Sequence, residues 1–276
     1  MSTGSKWRFA GRKIVACALV AIAQAAAAEE ALRVSGTGSG TGGMKLVATA
    51  FMAANPGVRV EVMRAMGSSG GINALLDGFL EVCVSNRPPN AAESAKTPLV
   101  SLEYARTPFI IAVHPDLGIT ALTSTQLAGL YGEGAVTFPN GKRARPVLRL
   151  SDDTDTRLLQ SFSPEVAKAV DAVATRRGML NASTDTEAAD LAQTTAGAFA
   201  ASTLALVESE KRALVGLAID GKVPSVANLA NGSYPYFKSL FVIVGLKSGP
   251  NAQKFVAFIQ STAGRELLSA HGHWMR

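Results

Sequence analysis

The feature that most constrains the fold is a glycine- and serine-rich stretch, Met66-Gly67-Ser68-Ser69-Gly70-Gly71, between two periodic segments. Residues 58–62 alternate β-branched and charged side chains, which is typical of a strand, and residues 72–79 carry apolar side chains at helical spacing. The stretch is therefore predicted to be a strand-to-helix turn. The N–H groups and dipole at a helix start attract anions. The simpler alternative, that Ser68 or Ser69 only caps its own helix, stays open.

Two further polar stretches follow predicted strands. Residues 35–43 stand between a strand at 32–34 and a helix at 44–54, and residues 151–156 stand between a strand at 147–150 and a helix that starts at Arg157. This alternation predicts an α/β fold. Turns at the carboxyl ends of parallel strands meet in one crevice. Arg149, alone on its apolar strand, can offer a planar guanidinium to an oxyanion there.

The first 28 residues have the features of a secretory signal peptide. A basic start precedes the apolar run 14–23, and four alanines stand directly before Glu29 and Glu30. The run is too short to be a permanent membrane anchor. The sequence therefore predicts cleavage after Ala28 and a periplasmic location. Lipidation of Cys17 is disfavoured because almost no apolar run precedes it.

Much of the formal charge of +6 belongs to this leader, which holds four of the 27 basic residues and no acidic one. The remainder carries 23 basic and 21 acidic residues, so it is nearly neutral and a nucleic-acid partner is not expected. After cleavage only Cys83 remains, most simply as a buried core residue, so no internal disulfide is possible. No cofactor, metal site or obligate oligomer is indicated, and we expect a monomer.

Two enzyme patterns are present but weakly supported. Gly38, Gly40 and Gly43 have the spacing of the dinucleotide fingerprint, with Glu61 at a suitable distance. Such a match is weak in so glycine-rich a run, and an exported protein rarely meets NAD.

The stretch around Ser69 also matches the nucleophile elbow of serine hydrolases. A hydrolase would need an acid and then a histidine downstream. The available histidines are His114, beside a proline at a strand end, and His271 and His273, in the last residues of the chain. A secreted serine hydrolase using Ser69 is therefore the less favoured alternative.

Taken in order, the motifs resemble those of the phosphate-type solute-binding proteins of ABC importers, in the type II periplasmic binding-protein class. The resemblance covers most of the mature chain. It rests on the turn at 36–41, the turn at 66–71, the segment Ser85-Asn86-Arg87-Pro88, and Arg149 followed by the turn at 151–156.

The resemblance implies a two-lobe fold of mixed, mostly parallel sheets flanked by helices, with the ligand cleft between the lobes. Lobe one would comprise residues 29–113 plus 225–276, and lobe two residues 114–224, with crossings near Val113 and Val223. Such proteins close about a hinge and then dock on a permease in the inner membrane. The expected function is capture of phosphate or a phosphate-like small inorganic oxyanion, without catalysis.

The resemblance also implies the residues that hold the anion. They are Ser39, Gly40, Thr41, Ser68, Ser69, Gly70 and Asn86 on one side of the cleft, and Arg149, Thr154, Asp155 and Thr156 on the other. Helix starts and one guanidinium supply many donors with little net charge. Each such donor left unpaired would cost about 1–3 kcal/mol.

Two positions depart from the family pattern. Phosphate binders usually carry an aspartate where this chain has Asn86, which is uncharged and can donate as well as accept, so altered anion selectivity is expected. Asp155 stands where glycine is more common. It either replaces the missing acceptor or caps the helix, and the cap is favoured. A periplasmic sensor or adaptor for a signalling partner would use the same closing lobes, so that alternative stays open.

Overall fold

The computed structural model describes residue 1, residues 31–132 and residues 136–276, so the predicted signal peptide and Cys17 lie outside the described segments. Within those segments, no helix is long and apolar enough to cross a bilayer. The strands are β1 (Leu32–Gly36), β2 (Val60–Val62), β3 (Val82–Ser85), β4 (Leu99–Val113), β5 (Ala121–Leu122), β6 (Arg145–Leu148), β7 (Leu180–Asn181), β8 (Ala198–Thr203), β9 (Val215–Gly216), β10 (Ala218–Ile219), β11 (Phe237–Gly245) and β12 (Trp274–Met275).

Helices alternate with these strands along the chain, as predicted, and a 3₁₀ turn, Pro115–Leu117, follows β4. The α-helices are α1 (Gly38–Ala54), α2 (Gly67–Leu76), α3 (Ala91–Lys96), α4 (Ser124–Tyr131), α5 (Thr154–Gln160), α6 (Pro164–Ala174), α7 (Asp185–Thr194), α8 (Leu204–Ser209), α9 (Val226–Ala230), α10 (Pro250–Gln260) and α11 (Thr262–Ser269).

One mixed sheet runs through the described part of the chain, in the order β2-β1-β3-β11-β4-β8-β6-β7. Pairing is parallel among β2, β1 and β3 and among β8, β6 and β7, and antiparallel in the middle. Strand β4 joins two halves, because residues 99–108 pair with β11 and residues 109–113 pair with β8. We call the β2-to-β11 side the first half and the β8-to-β7 side the second half. The expected α/β class with a mixed sheet is confirmed.

The apolar cores also divide along β4. One core is built on β1, β3, α1 and the C-terminal helices and includes Ala105, whereas the next begins at Phe109. That second core continues to Ile219, and the first core resumes at Leu240 in β11. The change of core therefore falls inside β4, ahead of the predicted crossing at Val113. The limits of two rigid lobes stay a prediction.

The stretch at 35–43 is not the turn that the sequence predicts. Helix α1 begins at Gly38, and the glycines that follow lie inside it. They serve close packing: a Cβ at Gly38 would lie 2.9 Å from Asp185 Cβ, and one at Gly42 would lie 2.9 Å from Glu210 Cγ. Because these glycines have no side chains, α7 and the end of α8 pack closely against α1. Local sequence does not reveal this tertiary contact.

Two smaller differences concern short helices. The sequence analysis predicts neither α8 nor α9. They have only six and five residues and are capped by Thr203 and Ser225. Cys83 is buried in β3, as expected.

We predict that Gly36→Ala severely destabilises the fold, because Gly36 has φ +141° and a Cβ there would lie 1.8 Å from the Val84 carbonyl oxygen. The loss in free energy of unfolding should exceed about 4 kcal/mol, the range reserved for severe clashes and strain. Gly57→Ala is the control, since Gly57 has φ +98° but nothing within 4 Å, so strain alone should cost about 1–2 kcal/mol. Urea unfolding measures both. Equal losses would contradict the role of the β1–β3 contact.

Candidate functional site

A cavity of about 370 Å³ lies between the two halves of the sheet. The first half contributes the start of α2 and the residues after β3, and the second half contributes the residues after β6 and the starts of α5 and α7. Strand ends and helix starts thus converge, as expected for a crevice of this fold class. The polar side chains that line it include Thr37, Ser68, Ser69, Asn86, Arg87, Arg149, Asp152, Asp153, Thr154, Arg157, Ser183 and Asp185.

Helix α2 begins at this cavity without a side-chain cap. Its N-cap residue, Met66, makes no capping hydrogen bond. By contrast, α3 to α9 and α11 each have a side chain that accepts a hydrogen bond from the first turn. The N–H groups at the start of α2 are therefore suited to an acceptor placed in the cavity.

The two hydroxyls of α2 are oriented by neighbouring donors. Ser68 Oγ accepts the Asn86 N–H at 3.0 Å, and Ser69 Oγ accepts Arg87 Nη2 at 3.0 Å. Arg87 in turn donates two hydrogen bonds to the Glu93 carboxylate, and these bonds lower the pKa of Glu93. Because each serine oxygen already accepts, its own proton is available to a ligand.

Arg149 follows β6 and faces the cavity from the second half. Its side chain is only 5% exposed, and Nη2 donates to Asp153 Oδ2 at 2.7 Å. Nη2 also lies 3.4 Å from Asp185 Oδ1, and Nε lies 3.8 Å from Asp155 Oδ2. Nη1 and Nε are buried and have no hydrogen-bond partner among the described residues. The guanidinium is thus fixed by carboxylates and keeps unused donors.

Behind the cavity lies a second buried cation, Lys238 on β11, which the sequence analysis missed. Its ammonium contacts Asp155 Oδ1 and lies 3.4 Å from Asp185 Oδ2. A lone lysine in the apolar run 236–246 was a visible signal of a buried partner, because charged side chains are rarely buried without one.

Asp185, the first residue of α7, supplies the missing cap of α1. Its Oδ2 accepts the Ser39 N–H at 2.9 Å and the Ser39 hydroxyl, and it lies 3.1 Å from the Thr37 hydroxyl, whose single proton has its shorter contact with Asn86 Oδ1. This carboxylate lies 146 residues from Ser39 in the chain. It therefore connects the start of α1, on the first half, with the second half.

The buried carboxylates have opposite ionisation behaviour. Burial raises the pKa of Asp155 to about 7, with Lys238 opposing and Asp185 adding to the rise. Burial would also raise the pKa of Asp185, but Lys238, Arg149 and the Ser39 hydroxyl outweigh it and hold that pKa well below its usual value. Near neutral pH, Asp185 is ionised and Asp155 is the group that exchanges a proton.

The structure brings some of the predicted site residues to the cavity and places the others elsewhere. Those lining it are Ser68, Ser69, Gly70, Asn86, Arg149 and Thr154. The other predicted donors are used within the protein. The Ser39 N–H donates to the Asp185 carboxylate, and the N–H groups of Gly40 and Thr41 donate to the Thr37 carbonyl.

The start of α5 differs in detail from the sequence interpretation. The helix is capped by Asp153, whose Oδ1 accepts the Asp155 N–H at 2.8 Å, so the favoured cap role of Asp155 is wrong. Asp155 instead has a fully buried side chain that pairs with Lys238. The Thr156 hydroxyl donates to the Leu150 carbonyl at 2.8 Å, which uses its proton within the loop.

The amide of Asn86 has partners that a carboxylate could not serve. Its Oδ1 accepts the Thr37 hydroxyl at 2.5 Å, and its Nδ2 donates to the Ser239 carbonyl at 3.2 Å. An aspartate would place a carboxylate oxygen against the Ser239 carbonyl oxygen, two acceptors with no hydrogen between them. The surroundings of position 86 thus fit an amide, where the resemblance implies an aspartate.

The hydrolase alternative finds no support at Ser69. Its hydroxyl oxygen is bonded to Arg87, and none of the histidines lines the cavity. The rings of His271 and His273 bond to backbone carbonyls near the C-terminus, and His114 caps the turn after β4. The described residues also contain no group of three or more candidate ligands able to hold a metal ion.

A cavity between two halves of one α/β sheet, lined by helix starts, defines a solute-binding class of protein. The family described as PBP (periplasmic binding protein) superfamily domain matches residues 21–263. Since the match covers most of the chain, the chain belongs to this superfamily. No curated protein matches it.

Solved structures share this fold at low sequence identity. A protein from Clostridium perfringens assigned as a phosphate ABC transporter substrate-binding protein, with bound phosphate, is 19% identical with a TM-score of 0.70, and the match covers 89% of this chain and 99% of that one. An ABC-type phosphate transport receptor from Vibrio cholerae is 19% identical (TM-score 0.58, 89% and 100% covered). The periplasmic molybdate-binding protein of Azotobacter vinelandii is 14% identical (TM-score 0.60, 89% and 99% covered).

We predict that Asp155→Asn makes stability less sensitive to pH. The folded-state pKa of Asp155 lies above its ordinary 3.8, so folding favours the protonated form. Its stabilising contribution is full below about pH 4 and is lost as pH rises towards about 7. The Tm of Asp155→Asn should therefore improve relative to wild type between pH 5 and pH 8. Thermal unfolding at both pH values measures this.

The control for this experiment is Glu61→Gln, which changes an exposed carboxylate on β2. Its Tm should follow that of the wild type at both pH values. An Asp155→Asn protein with the same pH dependence as wild type would contradict the assignment of the exchangeable proton to Asp155.

Proposed function

We propose that this chain is the substrate-binding component of an ABC importer, that it captures a small oxyanion between its two halves, and that it delivers the anion to a membrane permease. The observation that carries the proposal is Arg149, which is nearly fully buried at the cavity. Its Nη1 and Nε have no hydrogen-bond partner within the described structure, although Nε lies 3.8 Å from Asp155 Oδ2. Unmade hydrogen bonds of a buried donor cost free energy. A bound oxyanion would remove that cost.

The opposite wall of the cavity supplies matching neutral donors. They are the hydroxyls of Ser68 and Ser69 and the first N–H groups of α2, which has no side-chain cap. Helix-start N–H groups bind anions without adding a full positive charge. The Arg149 guanidinium facing such donors suits a compact, dehydrated oxyanion. The other two arginines at the cavity are engaged elsewhere, because Arg87 pairs with Glu93 and Arg157 donates to the Asp152 carbonyl.

We assign the predicted site residues to two layers. Ser68, Ser69, Gly70, Arg149 and Thr154 contact the ligand directly. Ser39, Gly40, Thr41, Asn86, Asp155 and Thr156 form the layer behind them, which holds the helix starts and Arg149 in place.

Capture requires the two halves to move relative to each other. In the proposal, the hinge comprises β4 between Ala105 and Phe109 and the return segment between Ile219 and Leu240, where the two cores change over. The proteins of similar fold named for phosphate and molybdate support an inorganic oxyanion as the ligand class. The predicted signal peptide supports a periplasmic location.

We predict measurable binding of at least one tetrahedral oxyanion to the wild-type protein, and weaker binding to Arg149→Lys. Calorimetric titration of the mature chain, freed of ligand by unfolding and refolding, with phosphate, sulfate and molybdate tests this. Lysine keeps the charge but loses the planar pair of donors. Loss of a charge-assisted hydrogen bond is worth about 1.5–3 kcal/mol, or roughly 10- to 150-fold in Kd.

The matched control is Arg145→Lys, because Arg145 is exposed at the start of β6 and lies outside the cavity. It should bind like wild type. Absence of binding of all three anions to the wild-type protein would overturn the proposed ligand class. Equal Kd values for Arg149→Lys and wild type would overturn the assigned role of Arg149.

A further inference from the structure

Two helix starts reach the cleft without caps of their own, and they have different acceptors. The start of α2 has no side-chain acceptor, whereas the start of α1 is bound to the Asp185 carboxylate. The groups that face Asp185 comprise a helix N–H, the Ser39 hydroxyl, a guanidinium and an ammonium. Such a set also fits an oxyanion, because carboxylates and oxyanions present the same kind of charged oxygen acceptors.

We propose that Asp185 is a tethered anionic occupant of an oxyanion-binding position at the start of α1, and that it competes there with the ligand of the cleft. The inference rests on the proposed function, since it concerns the same cleft and the same Arg149. It assigns Asp185 a role in setting affinity and selectivity.

Helices α1 and α7 are in close contact at the position of this carboxylate. A Cβ at Gly38 would lie 2.9 Å from Asp185 Cβ and 2.9 Å from the Thr186 nitrogen. Any side chain at position 38 would therefore push the first residue of α7 away from Ser39. The close approach brings the Asp185 side chain, which is 5% exposed, directly onto the donors of α1.

The charges of the cluster explain why Asp185 and an anion exclude each other. Two cations, Arg149 and Lys238, face the carboxylates of Asp153, Asp155 and Asp185. With Asp185 ionised in place, an added anion meets like charge at short range. With Asp185 displaced, the Ser39 donors lose their acceptor and can serve the anion, while Arg149 and Lys238 stay close by, each still paired with Asp153 or Asp155.

The first test uses Asp185→Ala and asks whether a free carboxylate replaces the lost side chain. We expect formate at 100 mM to raise the Tm of Asp185→Ala by about 4 °C or more, saturably, because a ligand that binds the native state stabilises it. Wild type and Asp190→Ala should show no such rise. Asp190 is the matched control, since it lies on the same helix but is mostly exposed and pairs with Arg212.

Rescue confined to Asp185→Ala would support the tethered-anion role, because a purely structural role for the side chain does not predict saturable binding of a small carboxylate. Formate that stabilises none of the three proteins, or all three equally, would overturn it. Asp185→Asn keeps the side-chain shape and removes only the charge, so it leaves no room for formate; if the alanine variant does not fold, the phosphate titration of Asp185→Asn below tests the inference instead.

The second test compares phosphate affinity by calorimetry. We expect Asp185→Asn to bind phosphate at least tenfold more tightly than wild type, and Asp190→Asn to bind like wild type. In Asp185→Ala, formate should compete with phosphate for the same position. Phosphate binding to wild type with equal or weaker binding to Asp185→Asn would overturn this inference and leave the proposed function intact. Failure of every variant to bind phosphate, sulfate or molybdate would overturn the proposed function as well.

Discussion

The interaction on which the rest of the cleft depends is the bond between the Asp185 carboxylate and the start of α1. It joins segments 146 residues apart and brings the two halves of the sheet together at one point. Arg149 and Lys238 complete the arrangement, because a buried carboxylate is tolerated only when charges and hydrogen bonds compensate its desolvation. The positions of β6, β11 and α7 are thereby tied to one electrostatic centre.

This centre explains why some hydrogen-bond donors of the cleft are already bonded within the protein while others are not. The N–H groups of α1 are bound within the protein, while the hydroxyls of Ser68 and Ser69 accept hydrogen bonds and keep their protons for another partner. Arg149 combines both kinds of donor. Its Nη2 donates to Asp153, whereas its Nη1 has no hydrogen-bond partner among the described residues. A binding protein of this superfamily can thus keep its cations buried and still present donors to a small anion.

Much of the site was predictable from local pattern, and the reasons for the remainder are specific. Ser68, Ser69 and Thr154 stand at helix starts that hydrophobic periodicity reveals, and Arg149 is conspicuous after an apolar strand. Lys238 also stood alone in an apolar run, but its partner could not be inferred from spacing. Asp185 has the appearance of an ordinary acidic residue in a first helical turn, where the dipole favours it.

By itself, the sequence determined the alternation of strands and helices, the α/β class and the polar helix starts, because these depend on side-chain periodicity and turn chemistry within a few residues. Only the tertiary structure decided which acceptor each helix start receives. The extension of α1 back to Gly38, the cap from Asp185 and the burial of Lys238 on Asp155 all depend on distances between remote segments. Electrostatic pairing acts through space, so a chain order that separates Ser39 from Asp185 by 146 residues conceals it.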